Sequence, residues 1–233
     1  MPTILPKTLA ALRKVDTPTV CNALEHVMGG RTAEGFTKHP VVCADPKLPP
    51  VVGFARTARI RASSPAQKPV AEVRALRMQY YEYVSEGPGP NVAVIEDTDW
   101  PHVIGGFWGE MQVAQHKGLG VAGTVTNGVL RDLGMLDDGY QVIAGAIGPS
   151  HAFVHVTELD CPVSVFGMTV RPNDLIHADR HGAVVIPAEH IERMAWAIDV
   201  VMRKEVPILS AARAPGFTIE KLRAAWAEAD EIK

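Results

Sequence analysis

Gly118-Leu119-Gly120-Val121-Ala122-Gly123 matches the dinucleotide-binding pattern G-x-G-x-x-G letter for letter, and its surroundings decide the fold against that reading. In a nucleotide-binding βαβ unit a strand delivers the glycines to a helix N-terminus, which receives the pyrophosphate. Here the order is reversed. A helical pattern from about Trp108 to Lys117 runs into the glycines, and an apolar strand pattern, Val121 to Val125, leaves them. The glycines therefore read as a helix C-cap before a tightly packed strand. A nucleotide site of this type, including that of an S-adenosylmethionine methyltransferase, is disfavoured on the same ground.

On the N-terminal side, Leu9 to Leu12 reads as a short amphipathic helix, and Thr17 as the N-cap of a second helix that Gly29-Gly30 closes. The proline-rich stretch Arg31 to Pro50 reads as a loop. Val51 to Ala62 alternates as a strand with one wet face, formed by Thr57, Arg59 and Arg61. Ser64-Pro65-Ala66-Gln67 has the form of a capping box that starts a helix reaching Ser85, and Asn91 to Ile95 is a buried-strand run. Towards the C-terminus, Gln141 to Ala144, Phe153 to Val156, Val163 to Phe166 and Ala183 to Ile186 are strand candidates. Ala188 to Glu205 and Thr218 to Ile232 read as helices. Strands and helices mingle without strict alternation, which predicts one layered α/β domain over 1–233. Mixed sheets are flanked by terminal helices at about 1–30 and 188–233.

Composition narrows the function. The 233 residues are 47% hydrophobic and 21% charged, which fits a globular chain. Lys+Arg number 23 against 26 Asp+Glu, a net charge of -3, so the basic excess needed for a phosphate backbone is missing and nucleic acid is not expected as a partner. Cys21, Cys43 and Cys161 are too few and too scattered for a disulfide framework, which fits a reducing, cytoplasmic compartment. The longest stretch free of Asp, Glu, Lys and Arg, Gly139 to Thr157, carries Gln141, Pro149, His151 and His155, so no membrane span is expected.

The chemistry concentrates in Gly105-Gly106-Phe107-Trp108-Gly109-Glu110 and, about twenty residues on, Thr126-Asn127-Gly128-Val129-Leu130-Arg131-Asp132. A glycine entry to a helix leaves the backbone N–H groups of Gly109, Glu110, Met111 and Gln112 free for a carboxylate. Arg131 offers a bidentate fork to the same anion. On a continuous strand Arg131 and Asp132 would face opposite ways, so a joint site requires a turn there, with Leu133 to Leu136 helix-like and Asp132 near its N-cap. Without such a turn, the pair reads as a solvated strand end with a capping Asp. Asp97 and Asp99 read as a polar turn, and Trp100, Trp108, Trp196 and Trp226 as packing residues, Trp108 being near enough to shape the anion site. His151 and His155, on a strand, would stand ~13 Å apart and do not share an ion.

With these residues in place, the chain resembles the RraA-like proteins: 4-hydroxy-4-methyl-2-oxoglutarate aldolases, oxaloacetate decarboxylases and the regulator of ribonuclease activity A. The resemblance rests on Gly109-Glu110 at the helix start, Gly128-x-x-Arg131-Asp132 after the next strand, and Asp179-Arg180-His181-Gly182 before Val184 to Pro187, over roughly Thr17 to Glu205. It implies a swivelling β/β/α domain assembled as homotrimers or homohexamers, with sites between subunits. It also implies Mg²⁺ or Mn²⁺ held directly by Asp132 and through water by Glu110, Arg131 binding a small 2-oxo acid, and Glu205 of a neighbouring subunit completing the metal's surroundings. The activity implied is aldol cleavage or decarboxylation that yields pyruvate; the alternative is a non-catalytic protein-binding regulator. Asn127 stands where many members have Asp.

Overall fold

In the computed structural model, which describes residues 3–233, helices α1 (Pro6–Leu12) and α2 (Thr17–Met28) precede a short strand β1 (Val42–Cys43) and the long β2 (Val51–Arg61). Helix α3 (Val70–Ser85) leads into β3 (Asn91–Asp97), followed by β4 (Gly106–Trp108), α4 (Glu110–Gly118), β5 (Val121–Thr126) and β6 (Val129–Leu130). Next come β7 (Gln141–Ala144), β8 (Ala146–Ile147), β9 (His155–Leu159), β10 (Val163–Val165) and β11 (Met168–Val170), then β12 (Leu175–Asp179) and β13 (Gly182–Ile186). A 3-10 turn, Ala188–Arg193, opens α5 (Met194–Arg213), and α6 (Ile219–Glu231) follows.

The main sheet has the order β1-β7-β5-β3-β2-β12-β13. Strands β2, β3, β5 and β7 pair in parallel, whereas β1, β12 and β13 pair antiparallel to their neighbours. One edge of β2 is divided between two partners. Its first half pairs with β12, Phe54 opposite Leu175, and its second half with β9, Ile60 opposite Val156. The sheet therefore curls, and this mixed α/β architecture with flanking helices is the expected fold class.

Side-chain alternation along β2 shows how the layers form. Val52 and Phe54 pack under α2 and α5, while Ala58 and Ile60, on the same face, join Tyr80, Phe107, Trp108 and Leu130 under α3 and α4. Val51 and Ala55 point the other way, into a core closed by the β10–β11 hairpin with Val163, Phe166 and Met168. The expected wet face is accordingly dry for most of its length. Thr57 is buried, and β2 emerges into solvent only towards Arg59 and Arg61, where Arg59 bridges Glu96 (3.0 Å) and Glu158 (2.6 Å).

Several boundaries differ from expectation for local reasons. The N-cap of α2 is Asp16, whose carboxylate accepts the Thr19 N–H at 3.0 Å, so Thr17 lies one residue inside the helix. Gly29 closes it in a left-handed conformation, φ 75°, as read from the sequence. The Ser64 motif starts no helix: α3 begins at Val70 behind Pro69. Leu133 to Leu136 forms a turn, the Phe153 strand begins later, at His155, and α5 continues past Glu205 through Pro207 to Arg213. Asp97 is no surface turn residue but wholly buried, and Trp196 and Trp226 are about half exposed on the outer faces of α5 and α6. No helix of the described residues is long and apolar enough to cross a membrane, and the three cysteines are free.

Candidate functional site

A small second sheet, β4-β6-β8, is parallel throughout, pairing Gly106 with Val129 and Val129 with Ala146. Ligand-binding residues collect where parallel strands end at their carboxyl edge. Here β4 delivers Gly109 and α4, β6 delivers Arg131 and Asp132, and β8 leads to His151. These strand ends meet at a cleft of about 500 Å³, lined by Gly106, Gly109, Met111, Gln112, Arg131 and Asp132 on one side. His151, Phe153 and His155 line the other, and Pro65, Val73 and Arg77 close the third.

The turn that a joint Arg-Asp site needs is made by Asp132 itself, with φ 55°, a left-handed conformation uncommon outside glycine. The Arg131 N–H donates to the Trp108 carbonyl (2.8 Å), fixing the residue that follows β6 to the end of β4. The Arg131 Nε lies 3.2 Å from Asp132 Oδ1, and Asp132 Oδ2 accepts the Glu110 N–H at 3.1 Å. Asp132 thus caps α4 rather than a helix of its own. Gly109, at the N-cap position, has no side chain to do so. A Cβ on Gly109 would overlap Asp132 Oδ2, and one on Gly106 would stand 2.9 Å from Arg131 Cδ. Both glycines are the floor on which the Arg131-Asp132 pair rests.

The α4 entry keeps the Met111 and Gln112 N–H groups available to an anion, while Glu110 is exposed and lies outside the walls of the cleft. Among the described residues no three His, Cys, Asp or Glu side chains converge as a ready-made metal cluster. The Glu110 backbone N–H on Asp132 Oδ2 brings two carboxylate residues to the α4 entry, and the cleft they flank holds no thiol. That oxygen donor set suits a hard cation that keeps several waters. Glu205 lies elsewhere, exposed on α5 in a cleft with Asp16, Asp179 and Arg180, so within one chain it does not join Asp132.

Behind the site, two polar clamps hold its elements. Asn127 Oδ1 accepts the Asp97 N–H at 2.7 Å and its Nδ2 donates to the Asp97 carbonyl at 3.2 Å. An aspartate there could accept but not donate, which accounts for the amide. Asp97 Oδ2 has no protein partner, and burial pushes this carboxyl up to about 6. Under α4, His116 Nδ1–H donates to the Gln112 carbonyl (2.7 Å), leaving Nε2 to accept the Tyr80 hydroxyl at 2.6 Å. Burial holds His116 neutral, its pKa lowered to about 4. A Tyr80→Phe protein should therefore be less stable by ~1–3 kcal/mol, because the His116 lone pair is left buried and bare. A denaturant midpoint equal to that of wild type would contradict this. Since the unfolded imidazole takes up a proton more readily than the folded one, this pair's contribution is present above about pH 6.5 and declines towards about pH 4.

Comparison with known proteins agrees with this architecture. The RraA-like family model, described as Aldolase/RraA, matches residues 11–185. The protein DlpA of Legionella pneumophila is 27% identical over 146 residues, covering 60% of this chain and 23% of DlpA, so the chain spans under a quarter of that relative. Streptomyces coelicolor RraAS2, described as an unusual member of the RNase ES inhibitor RraA protein family, superposes with TM-score 0.67 at 26% identity, over 88% of this chain and 98% of that one. An uncharacterized protein from Pseudomonas syringae pv. tomato shares the fold with TM-score 0.72 at 21% identity and 95% coverage of both chains.

Proposed function

The chain belongs to the RraA-like family, and from that premise we propose that it is a divalent-metal-dependent carbon–carbon lyase. It cleaves a 4-hydroxy-2-oxo acid of the 4-hydroxy-4-methyl-2-oxoglutarate type, decarboxylates oxaloacetate, or does both, releasing pyruvate. The family also contains ribonuclease regulators, which a binding surface alone would serve. The observation that favours catalysis is the Arg131-Asp132 pair turned onto the start of α4 over Gly106 and Gly109.

In this reading the Arg131 guanidinium, bonded to protein through Nε alone among the described residues, presents its Nη groups to the carboxylate and keto oxygen of the substrate. The Met111 and Gln112 N–H groups bind the same carboxylate at the positive end of α4. Asp132 and Glu110 would hold Mg²⁺ or Mn²⁺, Glu110 through water. A divalent ion held there would supply Lewis-acid chemistry for breaking a C–C bond next to a ketone. In a homotrimer or homohexamer, Glu205 of a neighbouring subunit completes these surroundings. Aldol cleavage further requires a group to take the hydroxyl proton; decarboxylation does not.

The test is pyruvate release from oxaloacetate and from 4-hydroxy-2-oxo acids with Mg²⁺ present. Wild type should turn over at least one of them, and Arg131→Lys, which keeps charge but loses the planar fork, should lose ~10²-fold in kcat/KM. Absence of pyruvate with every substrate, or an Arg131→Lys enzyme within ~3-fold of wild type, would overturn the reading.

A further inference from the structure

The wall of the cleft opposite Arg131 and Asp132 carries two histidines that the mechanism above leaves unused. On one extended strand His151 and His155 would stand ~13 Å apart. The strand begins only at His155, however, and the Val154 N–H closes a turn on the His151 carbonyl at 3.0 Å, so both imidazoles line one cleft. The His151 Nδ1 lies 3.0 Å from the Ala152 carbonyl and the His155 Nδ1 2.8 Å from the Phe153 carbonyl. A carbonyl only accepts, so in the neutral rings each Nδ1 carries the hydrogen and each Nε2 keeps its lone pair. No group among the described residues bonds to either Nε2.

Position separates the two. Gly105 and Gly106 are consecutive and touch both walls: a Cβ on Gly105 would stand 2.7 Å from the His151 carbonyl, and one on Gly106 2.9 Å from Arg131 Cδ. The Ser150 carbonyl accepts the Gly106 N–H at 2.8 Å, and the Ser150 hydroxyl accepts the Ala152 N–H at 3.0 Å. His151 is thus clamped to the start of β4, the strand that carries the floor under Arg131 and Asp132. His155 instead opens β9 and also lines a second, smaller cleft with Arg61 and Lys68. The other proton acceptor in the main cleft, Asp132, is already engaged by Arg131 Nε and the Glu110 N–H.

We propose that His151 Nε2 is the base that takes the 4-hydroxyl proton in aldol cleavage. The assignment rests on the lyase reading and supplies the group that such cleavage requires. As Nε2 takes the proton, the O–H electron pair becomes the C=O of the departing fragment, the C3–C4 bond breaks and its pair stays on C3. C3 then takes a proton from water, and the imidazolium, at the exposed rim of the cleft, gives its own to solvent. Oxaloacetate has no hydroxyl to deprotonate: its C4 carboxylate leaves as CO₂ and C3 is protonated by water. One site therefore runs two reactions, of which His151 serves one.

The experiment measures pyruvate release from 4-hydroxy-4-methyl-2-oxoglutarate and from oxaloacetate, with Mg²⁺ present, for wild type, His151→Gln, His151→Ala and His155→Gln. The ratio of cleavage to decarboxylation, taken in kcat, should fall ~10²-fold or more in His151→Gln, and free imidazole should raise it again in His151→Ala. A ratio within ~3-fold of wild type, an equal loss of both reactions, or a fall in His155→Gln as large as in His151→Gln would overturn the assignment. Wild type that decarboxylates but cleaves no 4-hydroxy-2-oxo acid would overturn it while the lyase reading stands. Wild type that releases no pyruvate from either substrate would overturn both.

Discussion

A Gly109→Ala protein should fold and release pyruvate at least ~10³-fold more slowly than wild type. The backbone at Gly109 is extended, φ -157°, so alanine is conformationally acceptable there. The damage is steric: the new methyl occupies the space of Asp132 Oδ2 and comes within 3.1 Å of Arg131 Cγ. One substitution thus displaces both members of the pair and the cap on α4, and a misplacement of about 1 Å already costs ~10² in rate. Gly118→Ala, whose Cβ meets nothing within 4 Å, is the matched control and should behave as wild type. Circular dichroism of both proteins separates loss of site from loss of fold. Gly109→Ala activity within ~3-fold of the control would show that the pair is not where the reaction occurs.

Removal of divalent metal should abolish pyruvate release altogether, and added Mg²⁺ or Mn²⁺ should restore it. Asp132 and Glu110 present carboxylate oxygens only, a set that binds such ions with retained waters and therefore exchanges them readily with a chelator. Zn²⁺, which favours imidazole and thiolate, should restore less. Undiminished turnover in excess chelator would refute a metal-dependent mechanism while leaving the binding roles of Arg131 and α4 to be judged separately.

Where local chemistry sufficed, the sequence was legible. The apolar runs at Asn91, Val121 and Gln141 are strands, Gly29 ends α2, and glycines precede α4. The reversed order around Gly118 correctly separates this fold from a dinucleotide-binding one. Elements whose burial depends on distant partners were not legible. Strand β12 carries His177 and Asp179, and both are buried because Thr17, some 160 residues away in sequence, bonds to His177 Nδ1 and to Asp179 Oδ2. The dry face of β2 likewise depends on a hairpin a hundred residues later.

At the candidate site, residue types were legible and conformations were not. The sequence brings Arg131 and Asp132 together with the α4 entry. Only the backbone shows Asp132 left-handed and capping α4 from outside it. Arg77 gave no signal, because one arginine on an amphipathic helix looks the same in sequence whether it faces solvent or a cleft.

The divided edge of β2 also governs when the chain can fold. Strand β2 ends at Arg61, yet the partners that cover its edge begin at His155 and Leu175, so the strand remains open-sided until roughly a hundred further residues have been made. At ~5–20 residues per second, that is a wait of about 5–20 s during translation. Throughout it an eleven-residue, largely apolar strand offers unpaired N–H and C=O groups to any passing β-segment. Long-range pairing of this kind makes for slow folding, and the nascent chain is a natural client for chaperones that bind extended apolar segments.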